Sequence, residues 1–170
     1  LWRLQQCCRD VIDTTSYDLR LARGVGVDIH QVSAVAFGLV DPANGMSADE
    51  LRAAVRCNLY DDITPDVGDE DWLVAERERF RQLRVHALEA LAARLITVRW
   101  HGAAIEAALG AIRADPFRES AHRLLIKAHI AEGSRFEARR HHRAYRELLH
   151  TELGLAPSDE FIALLQENRR

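Results

Sequence analysis

The most constraining feature of this 170-residue chain is an internal match. Residues 85–118 can be laid over residues 119–152 with an offset of about 34 residues, the length of a helical-hairpin repeat. Ala104 then falls on Ala138, and Pro116 closes the first copy. Because alanine at a helix contact lets two backbones approach closely, the match predicts two stacked hairpins. Such stacks present surfaces to partners and carry no inherent catalytic cleft.

The composition is that of a folded protein with a charge close to neutral. The hydrophobic fraction of 48% is ordinary, and the net charge of −3 gives no whole-chain sign of nucleic-acid binding. No apolar run approaches the ~20 residues of a membrane span, so we expect no membrane association. Cys7, Cys8 and Cys57 are odd in number, which predicts reduced thiols and a cytoplasmic location. The chain opens without Met inside a helical pattern, so we expect it to be a piece of a longer protein.

The residue patterns predict a mainly α fold preceded by a short β-hairpin. Residues 1–9 have helical spacing. The stretch that follows contains β-branched residues and alternation, which predicts a hairpin that turns near Ser16 and Tyr17 and a short third strand at 27–29. From His30 onward every pattern is helical.

Capping residues and an apolar stripe locate the predicted helices. Ser47 with Glu50 forms a capping box, Gly133 and Gly154 end helices, and Ser158 begins the last one. The longest helix is predicted from Asp71 to about Arg99. Its buried stripe consists of Phe80, Leu83, Ala87, Leu91, Leu95 and Val98.

A series of landmarks follows in fixed order from residue 71. They are Asp71-Trp72, Glu76-Arg77, Ala104-Ile105, Asp115-Pro116, Arg118-Glu119, Ala121-His122-Arg123, Gly133, Tyr145, Glu152-Leu153-Gly154 and Pro157-Ser158. This order resembles the bacterial transcriptional activation domain of the actinobacterial antibiotic regulatory proteins. The resemblance covers about residues 30–165. It implies tetratricopeptide-like helical hairpin repeats over residues 30–170, and activation through RNA polymerase or through a second copy of the chain in a homodimer.

The N-terminal residues 1–29 are similar to the end of a winged helix-turn-helix, which precedes the activation domain in that family. LWRLQQCCRDV would be the tail of the recognition helix, and IDTTSYDLRLA would be the wing. The resemblance implies promoter DNA as a partner, bound through a winged helix that is only partly present here.

Two sets of arginines are candidate binding residues. Arginines on the recognition-helix tail and the wing would bind DNA phosphates, although exposed arginines can also be merely solvated. With the resemblance, phosphate contact is favoured, most for Arg20 and Arg3. The candidate DNA-binding residues are Arg3, Arg9, Arg20 and Arg23.

The second set lies at helical spacing on a single predicted helix and would bind a partner with an acidic surface, or DNA beside the operator. Nearby Glu132, Glu137 and Glu147 supply counter-charges, so a solvated face is the alternative. The candidate partner-binding residues are Arg135, Arg139, Arg143 and Arg146.

The sequence contains no recognised catalytic or metal-binding motif, so we expect no enzyme activity, no cofactor and no metal. GxSxG, P-loop and HExxH patterns are absent. His122, His129, His141 and His142 do not have the spacing of a structural zinc motif, which favours packed histidines.

The sequence therefore predicts an activator fragment that binds DNA through its first residues and partners through its helical repeats. A protein-interaction adaptor without DNA binding is the main alternative, and an enzyme with its catalytic domain elsewhere is a weaker one. The sequence upstream of Leu1 would discriminate between them, because only the first interpretation requires a helix-turn-helix there.

Overall fold

The computed structural model describes residues 11–15, 17–64 and 71–165, and it divides into two compact units, Leu1–Gln31 and Val32–Arg170. The described residues form a short hairpin and seven helices, which confirms the predicted mainly α fold. The elements are β1 (Ile12–Thr14), β2 (Leu19–Leu21), α1 (Asp28–Val40), α2 (Ala48–Arg56), α3 (Asp71–Thr97), α4 (His101–Ala114), α5 (Glu119–Glu132), α6 (Arg135–Leu153) and α7 (Asp159–Ala163).

In the first unit, β1 and β2 pair antiparallel, as predicted, with Ile12 opposite Leu21. The prediction of a third strand at 27–29 is wrong, because α1 begins at Asp28. The Asp28 carboxylate accepts the N–H of Ile29 at 2.7 Å, and an acid in a first turn stabilises a helix start. The helix predicted for residues 1–9 lies outside the described residues.

The second unit contains the two hairpins that the internal match predicts. Helices α3 and α4 pack as one hairpin and α5 and α6 as the next, while α5 also packs on both helices of the first. Ala104 and Ala138 are both fully buried, and so are the equivalent leucines Leu91 and Leu125. These matched positions are therefore buried to the same degree in the two hairpins.

Replacing Ala104 or Ala138 by leucine is expected to destabilise the protein by about 2 kcal/mol, because the added methyl groups overpack a close helix contact. Urea denaturation would measure the loss. Ala144→Leu is the matched control, since Ala144 is exposed on α6. Equal stability of the buried and exposed variants would contradict the repeat assignment.

The buried surface of the long helix α3 is wider than the single stripe that the sequence predicted. Val98 lies beyond its end and is 42% exposed, whereas Leu88 and Ala92, outside the predicted stripe, are fully buried. The physical reason is that α3 packs against α2, α4 and α5. The helix ends at Thr97, just before Arg99 takes a left-handed φ of 62°.

The predicted caps are confirmed. Ser47 and Glu50 form a reciprocal capping box at the start of α2. Gly133 and Gly154 end α5 and α6 with φ of 96° and 66°, a conformation that glycine adopts without strain. The Ser158 hydroxyl caps α7.

A single arginine holds the loop between α1 and α2. The Arg94 guanidinium on α3 donates to the carbonyls of Leu39 at 3.1 Å, Asp41 at 3.0 Å and Asn44 at 2.7 Å. These bonds join residues that are far apart in the sequence. They satisfy carbonyls at and after the end of α1, which have no partner within the helix.

Candidate interaction surface

The exposed side of α6 carries the four arginines of the second predicted set, Arg135, Arg139, Arg143 and Arg146, which we call the basic face. Their spacing places them on one side of the helix, while Ala138, Tyr145 and Leu149 are buried on another. All four arginines are exposed, and none of their side chains forms an ion pair or a hydrogen bond with another described residue. Their charges are therefore not paired with opposite charges of other described residues.

Two of the acids expected to neutralise the basic face have other contacts. Glu137 forms an ion pair with Arg140 at 2.6 Å, and Glu132 accepts the Ser134 hydroxyl at 3.0 Å. Glu147 lies at the edge of the basic face. A largely uncompensated positive charge remains along this side of α6.

A groove of about 360 Å³ lies at the C-terminal end of the basic face. It is lined by Arg143, Arg146, Glu147, His150, Leu155, Ala156 and Pro157. The chain turns at Gly154, and the N–H of Leu155 donates to the Leu149 carbonyl at 3.2 Å, which holds Leu155 beside the helix. Leu155 is 56% exposed there. The sequence interpretation identified the two arginines and missed the apolar wall.

Histidines fill the contact between α5 and α6. His122 is buried, and its Nε2 donates to the Pro116 carbonyl at 2.8 Å. Its Nδ1 therefore accepts the Nε2–H of His141 at 2.8 Å. The ring of Tyr145 stacks on His122 with centroids 3.9 Å apart, and its hydroxyl donates to the Phe117 carbonyl at 3.0 Å. These contacts agree with packed histidines.

This environment keeps the histidines neutral. Burial lowers the pKa of His122, and burial together with neighbouring positive groups lowers the pKa of His141 to about 4. Burial likewise lowers the pKa of His142, whose Nε2 donates to the Phe161 carbonyl at 3.2 Å. In the part of the chain that the structure describes, no group of three or more side chains is arranged to hold a metal ion.

Of the predicted DNA-binding arginines, the structure describes two. Arg20 on β2 is exposed and donates to the Asp18 carboxylate at 2.9 Å, and Arg23 is exposed just after the strand. Arg3 and Arg9 lie outside the described residues. A DNA surface in the first unit stays a prediction.

Comparison with known protein families gives a match over most of the chain. Residues 39–169 match the bacterial transcriptional activator domain (BTAD) family. The matched range includes helices α2 to α7 and the whole basic face. A search of curated proteins found no match. Across the described ranges, no helix has the length and apolar character needed to cross a membrane.

Proposed function

Because the chain belongs to the bacterial transcriptional activator domain family and has a role in transcription regulation, we propose that it is the activating part of a DNA-binding regulator. In this proposal the regulator is of the actinobacterial antibiotic regulatory type and acts in the cytoplasm. The N-terminal residues complete a winged helix on promoter DNA. The basic face of α6 recruits RNA polymerase, or a second copy of the chain in a homodimer. The chain itself performs no catalysis and holds no cofactor.

The observation that supports recruitment is the set of four exposed arginines whose side chains have no ion-pair partner among the described residues. Charges that are not used by the fold contribute little to stability, but they steer an oppositely charged partner and set its orientation. The net charge of the whole chain is −3, so this positive surface is local. An acidic surface of the transcription machinery is the partner that this charge favours.

The observation that supports DNA contact is weaker and concerns the first unit. The ion pair of Arg20 with Asp18 joins side chains that are 73% and 55% exposed. Exposed pairs of this kind are worth about 1 kcal/mol or less. A DNA phosphate can therefore replace the Asp18 carboxylate at little cost.

We expect this chain alone to bind DNA weakly and without sequence preference, because residues 1–29 resemble only a recognition-helix tail and a wing and the net charge is −3. The longer protein should bind its promoter tightly, and its affinity should fall as salt rises. Fluorescence anisotropy with promoter and scrambled duplexes at several salt concentrations would measure both. Tight, sequence-specific binding by this chain alone would show that the reading residues have been misplaced.

Reversing two charges of the basic face should reduce activation. In the longer protein, Arg139→Glu with Arg143→Glu should lower transcription from the target promoter about fivefold in a purified polymerase assay, because an acidic partner would be repelled. Folding by circular dichroism and promoter binding should not change.

The matched control reverses two exposed arginines on other helices, Arg56 on α2 and Arg79 on α3. It changes the net charge equally and should leave transcription unchanged. Full activity of the α6 variant, or equal losses in both, would reject recruitment by the basic face. If the longer protein does not bind DNA at all, but the α6 variant loses binding to a protein partner, the adaptor alternative is supported instead.

A further inference from the structure

We propose that the groove at the C-terminal end of α6 binds a short acidic peptide segment of the partner protein. Two carboxylates of the segment would pair with Arg143 and Arg146, and a neighbouring apolar side chain would pack on Leu155 and Pro157. The inference rests on the proposed function, since it specifies the chemistry by which the activator's partner is recognised.

The charged half of the groove suits carboxylates. Arg143 and Arg146 are three residues apart on a helix, so their side chains project as neighbours about 5–6 Å apart at Cβ. Each guanidinium has a planar set of donors that matches a carboxylate in a two-point contact. Neither side chain has an ion-pair partner among the described residues, so a ligand would not have to displace one.

The apolar half of the groove suits an aliphatic or aromatic side chain. Leu155 is 56% exposed although the hydrogen bond to Leu149 holds its backbone in place. Ala156 and Pro157 continue the wall, and proline adds rigidity. An apolar side chain bordered by charged partners is the usual composition of a peptide anchor site.

The same lining disfavours a DNA backbone. Glu147 borders the groove and opposes any anion, but it can also accept a hydrogen bond from a peptide N–H, a donor that a DNA backbone lacks. The apolar wall contributes no donor to a phosphate. A volume of about 360 Å³ matches a site for a few side chains.

The test uses a dye-labelled peptide of alternating aspartate and glutamate with two central leucines, titrated with the 170-residue chain at low salt in an anisotropy assay. Arg143→Glu with Arg146→Glu should weaken binding at least about tenfold, and Leu155→Ser about fivefold. Arg56→Glu with Arg79→Glu, on helices α2 and α3, is the matched control with the same change in charge outside both the groove and the basic face, and it should change affinity less than about twofold. Circular dichroism would verify that each variant is folded.

Peptide variants test the ligand side. Replacing the acids by asparagine and glutamine, or both leucines by serine, should each reduce binding about as much as the matching protein variant does. A duplex DNA of similar charge should compete poorly. Absence of peptide binding, equal losses from the Arg56→Glu with Arg79→Glu control and the groove variants, or equal competition by DNA would overturn the inference.

These outcomes separate the inference from the proposed function. If the peptide does not bind but reversal of Arg139 and Arg143 still lowers transcription, the inference fails alone. If the peptide binds in the groove but the reversal leaves transcription intact, recruitment by the basic face fails and the groove remains a peptide site.

Discussion

Phe161→Ala is expected to destabilise the second unit by about 3–5 kcal/mol, the range for deleting a buried aromatic side chain. Phe161 is fully buried. Its ring stacks on His142 with centroids 4.6 Å apart and meets Tyr145 at 4.8 Å. Helix α7 has only five residues and cannot be stable alone, so its position depends on this side chain.

Urea denaturation would measure the loss, and Ile162→Ala is the matched control. Ile162 follows Phe161 in the same short helix but is 37% exposed, so its truncation should cost less than about 1 kcal/mol. Similar losses in the two variants would show that α7 is not anchored by Phe161.

Acidification from pH 7 to pH 4 is expected to remove about 3 kcal/mol of stability through His141 of the histidine cluster, and protonation of the buried His122 and His142 lowers stability in the same direction. A histidine in the unfolded chain has a pKa near 6.5, whereas the pKa of His141 in the fold is lowered to about 4. The unfolded state therefore binds more protons within this window, and stability falls as pH falls through it. Below pH 4 the contribution of His141 is fully lost.

Charged groups around the cluster act in both directions. Asp115 and Glu119 raise the pKa of His122, which burial lowers more strongly, while Arg140 and His129 lower the pKa of His141 further. Urea denaturation at each pH from 4 to 7 would test the expectation. His141→Gln keeps a donor for His122 but does not titrate, so its stability should depend less on pH. An unchanged slope in this variant would contradict the role of His141.

The features that depend only on residues close together in the sequence were predicted correctly. The caps at Ser47, Gly133, Gly154 and Ser158 follow from single residues beside a helix end, and each is confirmed. The same holds for the one-sided spacing of the basic face, since helical geometry alone places those arginines together.

Features that depend on distant residues were not predicted. A Cβ at Gly110 would lie 2.7 Å from the Tyr60 ring, so this helical glycine makes room for a side chain about fifty residues earlier in the sequence. Val25, Val27 and Ile29 alternate as a strand would, yet Asp28 begins a helix. The groove was missed because Leu155 reaches α6 only through the turn at Gly154.

The Arg94 bonds to the loop between α1 and α2 have a consequence for how the protein opens in acid. These bonds involve none of His122, His141 and His142, which lie on α5 and α6, so protonation of those histidines does not act on them directly. Mild acid should therefore act on one part of the protein more than on another: protection of the α6 and α7 amides against exchange with solvent deuterium should fall as the histidines gain charge, and protection of the α1–α2 segment should change less.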